Sequence, residues 1–196
     1  MLYSHPEKLL IEHLEETAKK CEFAISSSNL RYKNIINEDF KEIAYIIGFL
    51  HDIGKSTKYF QEYLFGKSKT VNELKNHSHL SAIYAKEFLN LYLIQKDYDE
   101  FLLNIFKAFA YIAIKRHHGN IINFEDELLE FYDKDLSKIK KQIESIHYSE
   151  FMDCLNPLYQ KTKILLDFDS FKSKIETNTI FEDFNIFIFN FSILNN

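Results

Sequence analysis

The scarcity of backbone breakers constrains this chain more than any other feature. Four glycines and two prolines are spread over 196 residues. A fold of many short strands needs many tight turns, and such turns draw heavily on glycine and proline. The shortage therefore predicts long helices and an all-α fold. At this length the chain reads as one domain over residues 1–196, able to bury a substantial core without disulfides.

Hydrophobic spacing divides the chain into helices. Leu10, Leu14, Thr17 and Cys21 recur on one face, predicting a first helix from near Pro6 with His13 on its inward stripe. Taken alone, His13 reads as a core histidine. Residues 26–37 are polar and read as a loop. A largely buried helix follows from Glu38, carrying Phe40, Ile43, Ala44, Ile46, Ile47 and Leu50, with Gly54 placed to close it in a left-handed cap. A short helix with Tyr59, Phe60, Tyr63 and Leu64 stops at Gly66, and a polar loop runs to Lys75.

The next helix begins near His77-Ser78-His79 and buries Ala82, Ala85, Phe88, Leu89 and Tyr92. From Phe101 to Ile114 the chain is apolar almost all round, a second central helix that runs out into Lys115-Arg116-His117-His118-Gly119. Helical patterns continue over 125–132, 136–146, 159–168 and 181–194, with a break at Asn156-Pro157. The 19 Phe and 12 Tyr read as core filling rather than as a stacking platform for bases.

A formal charge of -5 excludes a protein that binds nucleic acid over its whole surface. Any nucleic-acid phosphate would have to be held by metal and a local basic patch. Cys21 and Cys154 stand far apart, as reduced thiols of a cytoplasmic protein do. No run of about 18 apolar residues suggests a membrane span.

The chemistry concentrates at two helix ends: His51-Asp52 shortly before Gly54, and His117-His118 just before Gly119. A helix carboxyl end carries partial negative charge and favours a nearby cation. If the two ends pack together, three imidazoles and one carboxylate face a common pocket. His13 and His77 would add two nitrogens. One ion rarely takes so many protein ligands while remaining open to substrate, so the set suggests two ions bridged by Asp52. Paired ions suit phosphoester hydrolysis. Lys55 either neutralises phosphate charge in the transition state or is a solvated surface lysine.

The ordered series His13, His51-Asp52-Ile53-Gly54-Lys55, His77-Ser78-His79-Leu80-Ser81-Ala82 and His117-His118-Gly119 resembles the HD phosphohydrolase superfamily. More narrowly, it looks like the HD nuclease domain of the type I CRISPR interference helicase-nuclease, over residues 1–120. The resemblance implies an all-α helical bundle with its metal site at the ends of central helices. It also implies metal-dependent cleavage of single-stranded DNA. Up to two divalent ions (Mn, Mg, Ni, Co or Fe) are expected. The partners implied are a CRISPR helicase region or subunit and a crRNA-guided surveillance complex. By position, Asp52 would bridge, His13 and His51 would serve one ion, and His77, His117 and His118 the other. Lys55 would lie near the scissile phosphate. His79 falls outside the ligand pattern, and His5 and His147 match no motif.

One departure stands out. The family carries a further acidic ligand after a late helix, and Ser192-Ile193-Leu194-Asn195-Asn196 ends where it is expected. Either the chain is a fragment truncated at its C-terminus, or another acid such as Asp169 or Asp183 serves. No helicase motif is present. Two other readings remain open: an HD phosphohydrolase acting on small nucleotides, and a catalytically silent HD scaffold.

Overall fold

A computed structural model of the chain describes residues 1–28, 37–67, 73–96, 98–120 and 136–182. The expected helix over 125–132, all but the first two residues of that over 181–194, and Asp183 lie outside the described residues. The fold is all-α, as the shortage of glycine and proline predicts. Two short strands, β1 (Tyr3–His5) and β2 (Lys8–Leu9), precede α1 (Leu10–Ser27) and α2 (Asn37–Leu50). A 3₁₀ turn (Ile53–Ser56) leads into α3 (Lys58–Leu64), followed by α4 (Ser78–Ile94) and α5 (Glu100–Lys115). The described chain continues with α6 (Ser137–Glu144), α7 (Tyr148–Thr162) and α8 (Phe168–Glu176). No helix of the described residues is long and apolar enough to cross a membrane.

The packing follows from the helical periodicity. The stripe Leu10, Leu14 and Ala18 of α1 is fully buried, as are Ile46, Phe49 and Leu50 of α2, and these two helices pack together. Cys21 of α1 lies so close to Gly48 of α2 that a side chain at 48 would strike it. Helix α4 packs against α5 and is the most enclosed element, buried from Ser78 through Leu93 on nearly every side. Ala82 and Ala85 have no exposed surface, so the small residues do permit close approach.

Burying α4 all round also buries charge. Lys86 is fully enclosed, pairs with Glu87 at 2.9 Å and donates to the Ile180 carbonyl. Glu87 accepts in turn from Lys174 of α8 at 2.6 Å. Such buried ions persist only when paired and hydrogen-bonded. The result fastens α8 onto α4.

Four local expectations are corrected. Helix α1 starts at Leu10 rather than near Pro6, because residues 3–9 form an antiparallel hairpin whose turn contains Pro6. Buried Ser4 closes that hairpin through the Lys8 carbonyl, and the Leu10 amide donates to the Leu2 carbonyl at 2.9 Å. Gly54 is not a left-handed cap but part of the 3₁₀ turn, and its amide donates to Ser81 Oγ at 2.9 Å. Pro157 does not break the chain. It sits inside α7, where the carbonyl deprived of its amide partner is that of exposed Asp153, while buried Leu155 and Leu158 hold the helix to the core. Helix α5 is less uniformly buried than its sequence implies. Phe101, Phe109 and Ala113 are exposed, whereas Asn104 and Lys107 are enclosed.

Candidate metal centre

Three helix ends and one turn build the centre. Helices α2 and α5 each finish and then release the chain into a turn: His51-Asp52 after Leu50, and His117-His118 after Lys115 and Arg116. The same local device orients a histidine in both. His51 Nδ1 lies 2.7 Å from the Gly48 carbonyl, and His117 Nδ1 lies 2.5 Å from the Ile114 carbonyl. Each carbonyl belongs to the last turn of its helix, and that of Ile114 also takes the His117 amide at 3.5 Å. A ring that donates from Nδ1 presents Nε2 to the centre.

His77 arrives from another direction, immediately before α4. Buried Gln142 of α6 donates to the carbonyls of Leu74 and Asn76, at 2.8 and 2.7 Å, and so pins the segment that leads into it. The His77 carbonyl accepts the Ser81 amide at 3.0 Å and abuts Gly54. His13 projects from the first turns of α1.

Asp52, only 2% exposed, is the hub. Its two oxygens face different groups. Oδ2 lies 2.8 Å from His13 Nε2, 3.2 Å from His51 Nε2 and 2.8 Å from Lys55 Nζ. Oδ1 lies 2.8 Å from His77 Nε2 and 3.1 Å from His117 Nε2. His118 completes the second group, with its Nε2 at 3.2 Å from His77 Nε2. The six residues named from the sequence therefore fall into two sets sharing Asp52. One is His13, His51 and Asp52; the other is Asp52, His77, His117 and His118. Within each set the donor atoms lie within 4.8 Å of one another.

Electrostatics distinguish the members. Burial alone would push the Asp52 carboxyl up, but hydrogen bonds from His117, His13, His51 and His77 outweigh it and hold it far below the carboxylate range. Burial, together with the charges of Lys55 and His117, leaves His77 lowered although Asp52 raises it. Burial would likewise lower His117, yet its bond to Asp52 and the Ile114 carbonyl leave it raised. His118 is lowered by burial and by the neighbouring charges of His117 and His77.

The arrangement fits divalent metal. With Nδ1–H committed to a carbonyl, a neutral His51 or His117 turns the Nε2 lone pair towards an oxygen of Asp52 that is itself a lone-pair donor. Two such atoms at about 3 Å need a cation between them, a proton or a metal. Imidazole nitrogens with one carboxylate suit borderline divalent ions. The carboxyl ends of α2 and α5 add partial negative charge.

Lys55 is 6% exposed, which rules out the solvated-surface reading. Its Nζ lies over the Phe60 ring at 5.3 Å as well as beside Asp52. His79 stays apart from both sets, its ring edge-on to Tyr111. His147 is exposed, near Ser149 and Glu150. Asp169, in the first turn of α8, is exposed and belongs to neither set.

Three further residues support the centre. Ser81 receives the Gly54 amide, and Gln142 holds the approach to His77. His5 is exposed on the hairpin, and its ring meets that of His13 edge-on at 5.3 Å. Only Ser81 had a trace in the sequence, as the second serine of His77-Ser78-His79-Leu80-Ser81.

Comparison with known proteins follows this geometry. A family model described as HD domain matches residues 10–149, well over half of the chain. No curated protein and no solved structure matches.

Proposed function

This chain belongs to the HD-domain family, and on that premise we propose that it is a metal-dependent nuclease that hydrolyses single-stranded DNA in type I CRISPR interference. HD domains are generally metal-dependent hydrolases. The observation that carries the reading is the division of Asp52, one oxygen towards His13 and His51 and the other towards His77 and His117. That is the layout of a bridging carboxylate between two ions. The finer assignment, to a CRISPR nuclease and to DNA, leans on the HD-x-G-K, H-S-x-L-S-A and HHG segments in order. The partners proposed with it are a helicase region or subunit and a crRNA-guided surveillance complex.

In this reading His13, His51 and Asp52 would hold one ion, and Asp52, His77, His117 and His118 the other. Bound ions would supply Lewis-acid charge to the phosphoryl group and lower the pKa of the attacking water. The chain's own residues do the rest. The Gly48 and Ile114 carbonyls fix the rings of His51 and His117, and Gln142 and Ser81 fix the backbone on either side of His77. Lys55 brings a buried ammonium to the edge of the Oδ2 group. There it is placed to offset charge that gathers on a phosphodiester in the transition state.

A second reading, hydrolysis of a small nucleotide by the same centre, is favoured by the net charge of -5. One experiment separates the two. Protein loaded with Mn²⁺, Ni²⁺, Co²⁺ or Mg²⁺ is incubated with labelled single-stranded DNA and, in parallel, with a panel of nucleotides. Cleavage of the DNA is expected. Intact DNA alongside a consumed nucleotide overturns the nuclease reading, and inertness towards both with every metal favours the silent scaffold.

A further inference from the structure

Most of the aromatic rings fill the core, but two beside the metal centre do not. Tyr63, at the end of α3, is 48% exposed, and Phe65, just beyond it, is 43% exposed. Both connect to the centre through intervening side chains. Phe60 sets its ring edge-on to His77 at 5.2 Å, and Tyr63 adjoins Phe60 at 6.3 Å. On the other flank Gln61 binds the Lys55 carbonyl and the Tyr3 carbonyl, each at 2.8 Å, and Tyr3 meets Phe65 edge-on at 5.3 Å. The two exposed rings are thus the outer end of a continuous packed surface whose inner end is His77 and Lys55.

A lysine ammonium lies over one face of each ring, leaving the other face for a base. Lys75 Nζ lies 3.8 Å from the Tyr63 centroid, and Lys67 Nζ lies 6.0 Å from that of Phe65. Neither lysine forms an ion pair among the described residues. The nearby acids are engaged: Glu62 with Lys58 at 3.6 Å, and Glu73 with Lys138. A net-acidic protein therefore shows local positive charge and exposed π-faces where its phosphate chemistry would take place.

From this juxtaposition we infer that Tyr63 and Phe65, flanked by Lys75 and Lys67, form a stacking ledge for unpaired bases of a single nucleic-acid strand running to the metal centre. The inference rests on the nuclease reading above and gives it a binding surface for the free bases of its substrate. Rings accept any base face, and lysines meet the backbone phosphates, so binding on the ledge is sequence-tolerant. A strand with a base seated there can pass a phosphate further along its backbone to Lys55. A mononucleotide has no such second phosphate to offer. The ledge thus favours strands over the small nucleotides that the net charge would otherwise suit.

The test is equilibrium binding of the full chain to fluorescently labelled oligothymidylate in chelator, so that cleavage is silenced. The parent is compared with Tyr63→Ala, Phe65→Ala and Phe65→Trp. Either alanine variant is expected to weaken binding roughly five- to a hundredfold, the usual effect of removing one stacked ring. Phe65→Trp restores it. Circular dichroism and manganese content equal to the parent's establish that the alanine variants are folded. An abasic strand of the same length should bind the parent weakly and the variants no differently. Equal affinity for oligouridylate extends the ligand to RNA, and preference for oligothymidylate confines it to DNA. Alanine variants that bind as tightly as the parent overturn the ledge, as does a parent that binds abasic or duplex DNA as well as oligothymidylate. Ring-dependent binding without cleavage after metal loading supports the ledge and overturns the nuclease reading alone.

Discussion

The carbonyl oxygen of His77 occupies the space in which a side chain on Gly54 would begin. The glycine is therefore required by close approach and not by an unusual backbone angle. Ser81 Oγ lies 3.0 Å from the same point and takes the Gly54 amide hydrogen bond. Gly54→Ala forces the 3₁₀ turn away from the start of α4, and with it Asp52 away from His77. A loss of about 1–3 kcal/mol in urea unfolding is expected, the usual cost of overpacking a filled site. Metal titration should show the ion served by His77 weakened more than the ion served by His13.

Asp52 is the one residue common to both sets of ligands. Asp52→Asn keeps the side-chain shape and removes the charge. Both ions should be lost, measured by metal content after desalting, and cleavage should fall below detection. It also strands the buried ammonium of Lys55, so the metal-free variant should be less stable by about 3–5 kcal/mol. A variant that keeps full activity refutes the bridging assignment.

Lys55 touches Asp52 but is no metal ligand. Lys55→Ala should retain metal and slow turnover by roughly a hundred- to a thousandfold, the scale of losing one transition-state charge partner. Single-turnover kinetics at saturating DNA separate this from weaker binding. An unchanged rate would leave Lys55 only the task of holding Asp52 in place.

Away from the centre, Asp39 in the first turn of α2 sets an acid limit on stability. Burial raises its carboxyl, but hydrogen bonds from Lys96 at 2.7 Å and Tyr98 at 2.7 Å more than offset this and leave it lowered. A folded pKa below the unfolded value of 3.8 contributes stability that is fully present above 3.8 and lost as pH falls through the folded value. Asp39→Asn should cost about 1.5–3 kcal/mol at neutral pH. The difference from the parent should then shrink in urea melts taken progressively below pH 4.

The helices were legible in the sequence because their signal is repetitive. Leu10, Leu14 and Ala18, or Ile43, Ile46 and Leu50, state the same fact several times over. The hairpin was not legible, since strands of three and two residues have no period to detect. Pro157 misled because a proline argues against a helix only when its neighbours cannot hold the turn, and buried Leu155 and Leu158 can. The six clustered residues could be named because helix ends, glycines and ligand types coincide at His51-Asp52 and His117-His118. What the sequence could not convey was the supporting cast. Gln142 acts across 66 residues on the Asn76 carbonyl, and His5 reaches His13 only through the fold of the hairpin. The burial of Lys55 was equally invisible, since a lysine in a turn looks solvated until α3 and α4 close around it.

The carbonyls of Gly48 and Ile114 are each bound by the imidazole three residues further on. A helix end satisfied in this way does not fray when no ion is present. The rings are aimed during folding, and the entropy of aiming them has been spent before any metal arrives. Loading then becomes a reversible exchange with the surroundings rather than a step in folding. Two consequences are expected of such a centre: stripped protein should recharge without being unfolded, and the most abundant suitable cation should decide what it holds.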